Sequence, residues 1–114
     1  MHDIPQRIGD VLLELEAELR LLEWWEEEQP SVKALASQQP FCMDQLAFEQ
    51  WLQWVFLPRM KTIIESGQPL PGQSGIFVYA EECLRHHGAR SAHLLALIKR
   101  FDELITLQAT QRPH

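Results

Sequence analysis

The sequence predicts an all-α protein: a compact four-helix bundle or irregular helical array with a kinked, unusually apolar central helix. Three observations carry this. Apolar residues recur at three- and four-residue steps in four segments, and the strongest breakers (Pro30, Gly67 and Gly88) fall between those segments. The one stretch with strand character, Phe77-Val78-Tyr79, would have nothing to pair with. At 114 residues the chain matches one ordinary domain, read here as a single all-helical domain over 1–114.

The first helix is expected from about Pro5 to Glu28. Asp3 can cap it, Pro5 suits its first turn, and Ile8, Val11, Leu12, Leu15, Leu19 and Leu22 form its core stripe. A second, weaker stripe of Leu13, Ala17, Leu21 and Trp24 lies opposite, and a helix with two apolar faces either sits between layers or meets a second copy. A homodimer face is therefore one reading. The helix flanks are acidic, and Glu26-Glu27-Glu28 would crowd its C-terminus, where negative charge is mildly unfavourable. Beyond Pro30, a loop with one helical turn at Val32–Ala36 is expected, and Asp44 can cap a short turn leading into the next helix.

That next helix, Phe48–Ser66 and stopped by Gly67, is apolar nearly all round, which suits the centre of a core. Pro58 lies too deep for a first turn, so it removes one backbone bond and pushes on the Trp54 carbonyl, giving a kink or a break. If the helical phase survives, Arg59 shares a face with Phe48, Leu52 and Val55. There it is either locked to a carboxylate or held at the mouth of a pocket beside the indoles. Trp51 and Trp54, three apart, either line a cleft or are plain core.

Positions 67–75, GQPLPGQSG, form a rigid connector with an extended stretch at Pro69–Pro71 and no phosphate-loop pattern. Ser74 can cap a short helix, Ile76–Arg85, that ends by Gly88. Ser91 can cap the last, in which Leu94, Leu97, Ile98, Phe101, Leu104, Ile105 and Gln108 recur at three- and four-residue steps with Lys99, Arg100 and Asp102 outward. The tail at 109–114 should fray.

The chemistry is thin. Ten Lys/Arg against sixteen Asp/Glu give a net charge of −6, which disfavours nucleic acid and anionic lipid. No apolar run reaches the ~20 residues that cross a membrane. Cys42 and Cys83 read as core thiols in a cytoplasmic protein. His86, His87 and His93 lack metal-ligand spacing, so neither metal nor cofactor is expected, and no catalytic constellation is evident.

The segment EQWLQWVFLPRM at 49–60, with QQPF at 38–41 and GQPLPG at 67–72, closely resembles the YqcC-like family of small bacterial proteins. The resemblance runs over nearly the whole chain and implies an all-helical cytoplasmic protein without an established activity, catalytic residues or partner. Two function classes follow from the residues themselves. One is a non-enzymatic protein that binds a protein or small molecule through Trp51, Trp54, Arg59, Pro69 and Pro71. The other is an enzyme with an unrecognised carboxylate site.

Overall fold

The computed structural model describes residues 4–110, and these are helical throughout apart from turns and connectors. Helix α1 (Ile4–Leu21) is followed by the single turn α2 (Val32–Leu35) and a 3-10 turn at Pro40–Cys42. The central helix consists of α3 (Phe48–Trp51), a π turn (Leu52–Phe56) and α4 (Leu57–Ser66). Then come α5 (Ile76–Cys83), a 3-10 stretch at Arg85–Ser91 and α6 (Ala92–Thr110). Helix α1 packs along α6, with α5 against α6 and α4 against α1. The expected stripe of α1 is buried from Ile8 to Leu22, and the six apolar positions expected to face inward on α6 are all buried. Asp3 and the end of the tail, 111–114, lie outside the described residues.

Helix α1 stops at Leu21, seven residues earlier than its composition predicts. It closes in a two-bond C-terminal motif: Trp24 N–H donates to Leu19 C=O at 2.9 Å and Glu23 N–H to Arg20 C=O at 3.0 Å. The left-handed residue this motif requires is Glu23, at φ 65°. The same motif ends α4, where Gln68 N–H reaches Ile63 C=O at 3.1 Å, with Gly67 left-handed at φ 71°. Glycine fills that position without strain, whereas a side chain there costs on the order of 1 kcal/mol. Something outside α1 must therefore hold the residues after Leu22 in place, and it is found on the central helix.

Pro58 produces a π turn instead of a break. Leu57 N–H donates five residues back, to Leu52 C=O, so the ladder widens by one residue just ahead of the proline. Pro58 follows directly as the second residue of α4, where the widened turn ahead of it accommodates its ring and its missing N–H without breaking the helix. The inserted residue also shifts the helical phase. Leu57 and Met60 turn inward, while Pro58 and Arg59 turn out to solvent. The central helix is accordingly buried at Trp51, Leu52, Gln53, Phe56 and Leu57 but only partly so at Trp54, Val55, Ile63 and Ile64.

Three expected caps are replaced. Ser31 caps α2, its hydroxyl accepting from Ala34 N–H at 3.1 Å. The start of α3 is served by Gln50, whose side chain accepts from Ala47 N–H at 2.8 Å, whereas Asp44 accepts from the Ser37 hydroxyl. The start of α5 is capped from another helix. Asp102 on α6 accepts from Phe77 N–H at 2.8 Å, Ile76 N–H at 3.3 Å and the Ser74 hydroxyl at 2.5 Å. Asp102 therefore points into the α5–α6 junction and not outward, and Ser74 is its partner and not the cap. Ser91, 1% exposed, donates to Gly88 C=O at 2.9 Å and so ties the preceding turn without capping α6. Gly88 itself, at φ 59° and ψ −137°, occupies a region open essentially to glycine alone.

Candidate functional site

Three residues of the central helix converge on one residue of the α1–α2 loop. Gln53 lies on the π turn, is 4% exposed, and meets the backbone of Glu26 like a strand partner. Its Oε1 accepts from Glu26 N–H at 2.8 Å, and its Nε2 donates to Glu26 C=O at 2.7 Å. The Glu26 carboxylate in turn accepts from Gln50 Nε2 at 3.1 and 3.2 Å and from the Trp54 indole N–H at 3.1 Å. Gln50, Gln53 and Trp54 stand at i, i+3 and i+4, the spacing that puts side chains on one helix face. This clasp holds the loop after Glu23 in place, and it explains why Trp24 and Trp25 leave the helix.

The two indoles flank the clasp. Trp24 packs against His87 with ring centroids 4.4 Å apart, and the Arg90 guanidinium lies 5.7 Å from its ring. Arg90 also donates to Leu22 C=O at 2.7 Å, covering a carbonyl exposed by the early end of α1. Trp25 lies under the Arg20 guanidinium at 4.4 Å. Arg20 and Lys61 both pair with Glu16, each at 3.1 Å. The hydrogen bond from Lys61, aided by Arg20, holds the Glu16 carboxyl below its ordinary value of 4.5.

Two shallow depressions open on either side of Trp25 and Glu26. One, about 270 Å³, is lined by Glu23, Trp24, Glu49 and Gln50 together with that pair. The other, about 390 Å³, extends over Gln53, Trp54, Leu57, Pro58 and Lys61. The Glu26 oxygens that could serve acid–base chemistry are occupied by neutral N–H donors, an arrangement that fixes a carboxylate in space. Among the described residues, no group of three His, Cys, Asp or Glu is placed to hold a metal ion. No helix among them is long and apolar enough to cross a membrane.

The residues singled out from the sequence fall in separate places. Trp54 lines the larger depression. Trp51 is buried in an aromatic cluster, 4.8 Å from Phe41 and 5.9 Å from Phe48 between ring centroids. Phe41 in turn stacks on Tyr79 at 4.2 Å, where burial, with the Cys83 thiol beside it, pushes the phenol up to about 12. Pro69 and Pro71 are exposed, and their connector is fastened to α6 by Gln108, which donates to Pro71 C=O at 2.7 Å. Leu13 (62% exposed), Ala17 and Leu21 (76%) face solvent, but Trp24 has left their stripe because α1 ends before it. Cys42 is buried and Cys83 half-buried.

Arg59 is exposed, with no ion pair or side-chain hydrogen bond among the described residues. The phase shift at the π turn removes the reason for expecting an interior, carboxylate-locked guanidinium. Arg59→Ala is accordingly expected to change unfolding free energy by less than about 0.5 kcal/mol in a urea melt. A loss of about 3–5 kcal/mol would restore the buried-pair reading. The residues that sequence reasoning missed are Glu26, Gln50 and Gln53. A glutamine at position 53, inside the most apolar segment, was their available signal, because a buried amide needs partners.

Known proteins resemble this chain in sequence and, in one solved structure, in fold. A family model described as "tRNA pseudouridine synthase C" (DUF446) covers residues 7–104. The uncharacterized protein YqcC of Escherichia coli is 36% identical over 109 residues, 96% of this chain and 97% of that one. An uncharacterized protein of Haemophilus influenzae is 36% identical over 87 residues, 76% of this chain and 82% of its own length. A protein of Pectobacterium carotovorum named tRNA pseudouridine synthase C is 42% identical over 65 residues, which are 57% of this chain but 17% of that relative. The solution structure of E. coli YqcC superposes with a TM-score of 0.86 at 34% identity, covering 99% of this chain and 97% of that one. With one helical fold shared end to end and the family model spanning most of the sequence, the chain belongs to the YqcC-like family, DUF446.

Proposed function

We propose that this chain is a non-enzymatic docking protein whose partner is an enzyme of the tRNA pseudouridine synthase C kind, and that it docks through the surface around Trp25, Glu26 and Trp54. The observation that carries the docking role is the clasp itself. It spends a buried amide, an indole N–H and a second amide to hold two tryptophans at the surface beside open depressions, with the carboxylate at its centre already engaged. Rigidly held aromatic side chains are the usual anchors of protein recognition.

The choice of partner rests on the Pectobacterium relative, in which the shared stretch is 17% of a chain bearing the synthase name. A segment found both as a chain of its own and within a longer one gains effective concentration by linkage to the rest. Since the shared stretch is a small part of that relative, we assign this chain the docking role and not the synthase chemistry. An acidic chain, at −6, also complements an enzyme that must present basic surface to tRNA. Trp54 belongs to the proposed surface, and Arg59 lies exposed one residue beyond Pro58.

The test is gel filtration and calorimetry of this chain with the tRNA pseudouridine synthase C of its own organism, at tens of micromolar. A joint elution peak is expected, and Trp25→Ala should weaken the affinity at least about tenfold, as truncating an anchor residue does. Independent elution of the two proteins overturns the choice of partner. A complex indifferent to Trp25→Ala overturns the choice of surface.

A further inference from the structure

We propose that the smaller depression is a receptor for a single arginine side chain presented by a partner protein. This rests on the docking reading and adds the chemistry of what enters. The depression brings together the indoles of Trp24 and Trp25 and the carboxylates of Glu23, Glu26 and Glu49, with no lysine or arginine in its lining. Its volume, about 270 Å³, lies below the range of drug-sized ligand pockets and suits one side chain.

The carboxylates are largely uncompensated. Glu26 is met by a neutral amide and a neutral indole. Glu49 has His87 Nε2 at 3.9 Å, beyond hydrogen-bond distance, and that nitrogen is buried without a hydrogen-bond partner among the described residues. The Glu23 side chain has no hydrogen-bond or ion-pair partner among the described residues. The indoles already receive guanidinium groups of this chain, Arg20 on Trp25 and Arg90 on Trp24, and neither arginine lines the depression. Two indoles beside three acids on a concave surface suit a cation. A planar guanidinium, which can stack and bind carboxylate with two donors at once, fits better than an ammonium point charge.

The probe is the capped peptide acetyl-Gly-Arg-Gly-amide, titrated into the 15N-labelled protein at low salt, with the citrulline peptide as the uncharged isostere. Saturable shifts at the Trp24 and Trp25 indole N–H signals are expected, with a dissociation constant of about 1–10 mM, appropriate to one side chain. The citrulline peptide should bind at least about tenfold more weakly, as should the E23G/E49Q double variant. E23G relieves a left-handed backbone, so that substitution alone should melt no lower than the parent, and its loss of binding is not a loss of fold. Equal binding of the two peptides, shifts confined to another surface, an unaffected double variant, or no saturation by ~50 mM each overturn the proposal. The outcomes separate from those of the docking test. Failure here with the synthase complex intact removes this receptor alone, whereas arginine capture without a synthase complex removes that partner and leaves the receptor standing.

Discussion

Gln53→Ala is expected to destabilise the protein by about 2–4 kcal/mol, the largest effect of any single polar substitution in it. The side chain is buried and makes two backbone hydrogen bonds, at 2.7 and 2.8 Å, to a residue 27 positions earlier in the chain. Truncation removes both bonds, leaves the Glu26 N–H and C=O seeking partners in a half-buried position, and opens a cavity over the π turn. Because folded domains hold only about 5–15 kcal/mol in total, such a loss would be plain in a urea melt. It would also appear as a drop of roughly 10 °C in melting temperature for a chain of this length. Gln53→Met separates the contributions: it refills most of the volume but restores neither bond, so it should recover only the cavity part. In both variants the Trp24 and Trp25 segment loses its fastening, and indole fluorescence should move to the red before global unfolding. A Gln53→Ala protein within 1 kcal/mol of the parent, its indoles unmoved, would show that the loop is held by the tryptophans and not by the clasp.

The contrast between what was legible in the sequence and what was not follows the range of the interactions. The inward face of α6 and the stripe of α1 could be read directly, because burial of a helix face is written at three- and four-residue spacing and needs no knowledge of the partner. Gly67 ends α4 because a local conformational need meets the residue that satisfies it most easily. Glu23 fills the same left-handed position at the end of α1 with no such local signal. The reason lies in Gln53, on another helix, and spacing rules do not reach that far. Pro58 shows the intermediate case. Its interruption was legible, but whether the helix would break, kink or widen into a π turn depends on the packing on both sides, and that choice decided where Arg59 points. Of the residues first considered for a site, Trp54 was found on the face that holds Glu26, and Trp51, three positions earlier, in the aromatic core. Side chains three positions apart stand roughly 60° apart around the helix axis, enough for one to enter the core while the other meets the loop.

The same limit applies to Asp102, whose placement on α6 reads as an outward-facing acid and whose role is set by α5. Asp102→Ala is expected to cost about 2 kcal/mol, at the upper end for loss of a helix cap, because one carboxylate serves two backbone N–H groups and a hydroxyl at 2.5–3.3 Å. A negative charge at the first turn of α5 also meets the positive end of that helix, so the neutral Asp102→Asn should lose part of the stabilisation, about 1 kcal/mol, while keeping one acceptor oxygen. Ser74→Ala removes only the hydroxyl partner and should cost less than either. The ranking matters because α5 is short, eight residues, and a helix of that length is not stable alone in water. Its stability comes from its contact with α6, with Ile76 and Ala80 buried, and from the tertiary cap at its start. Amide hydrogen exchange at Ile76 and Phe77 should therefore accelerate in Asp102→Ala by more than at any site on α1. If exchange rises evenly over the whole chain, Asp102 contributes to global stability alone; if a urea melt shows a loss below about 0.5 kcal/mol, the cap is dispensable and α5 is held by its apolar face.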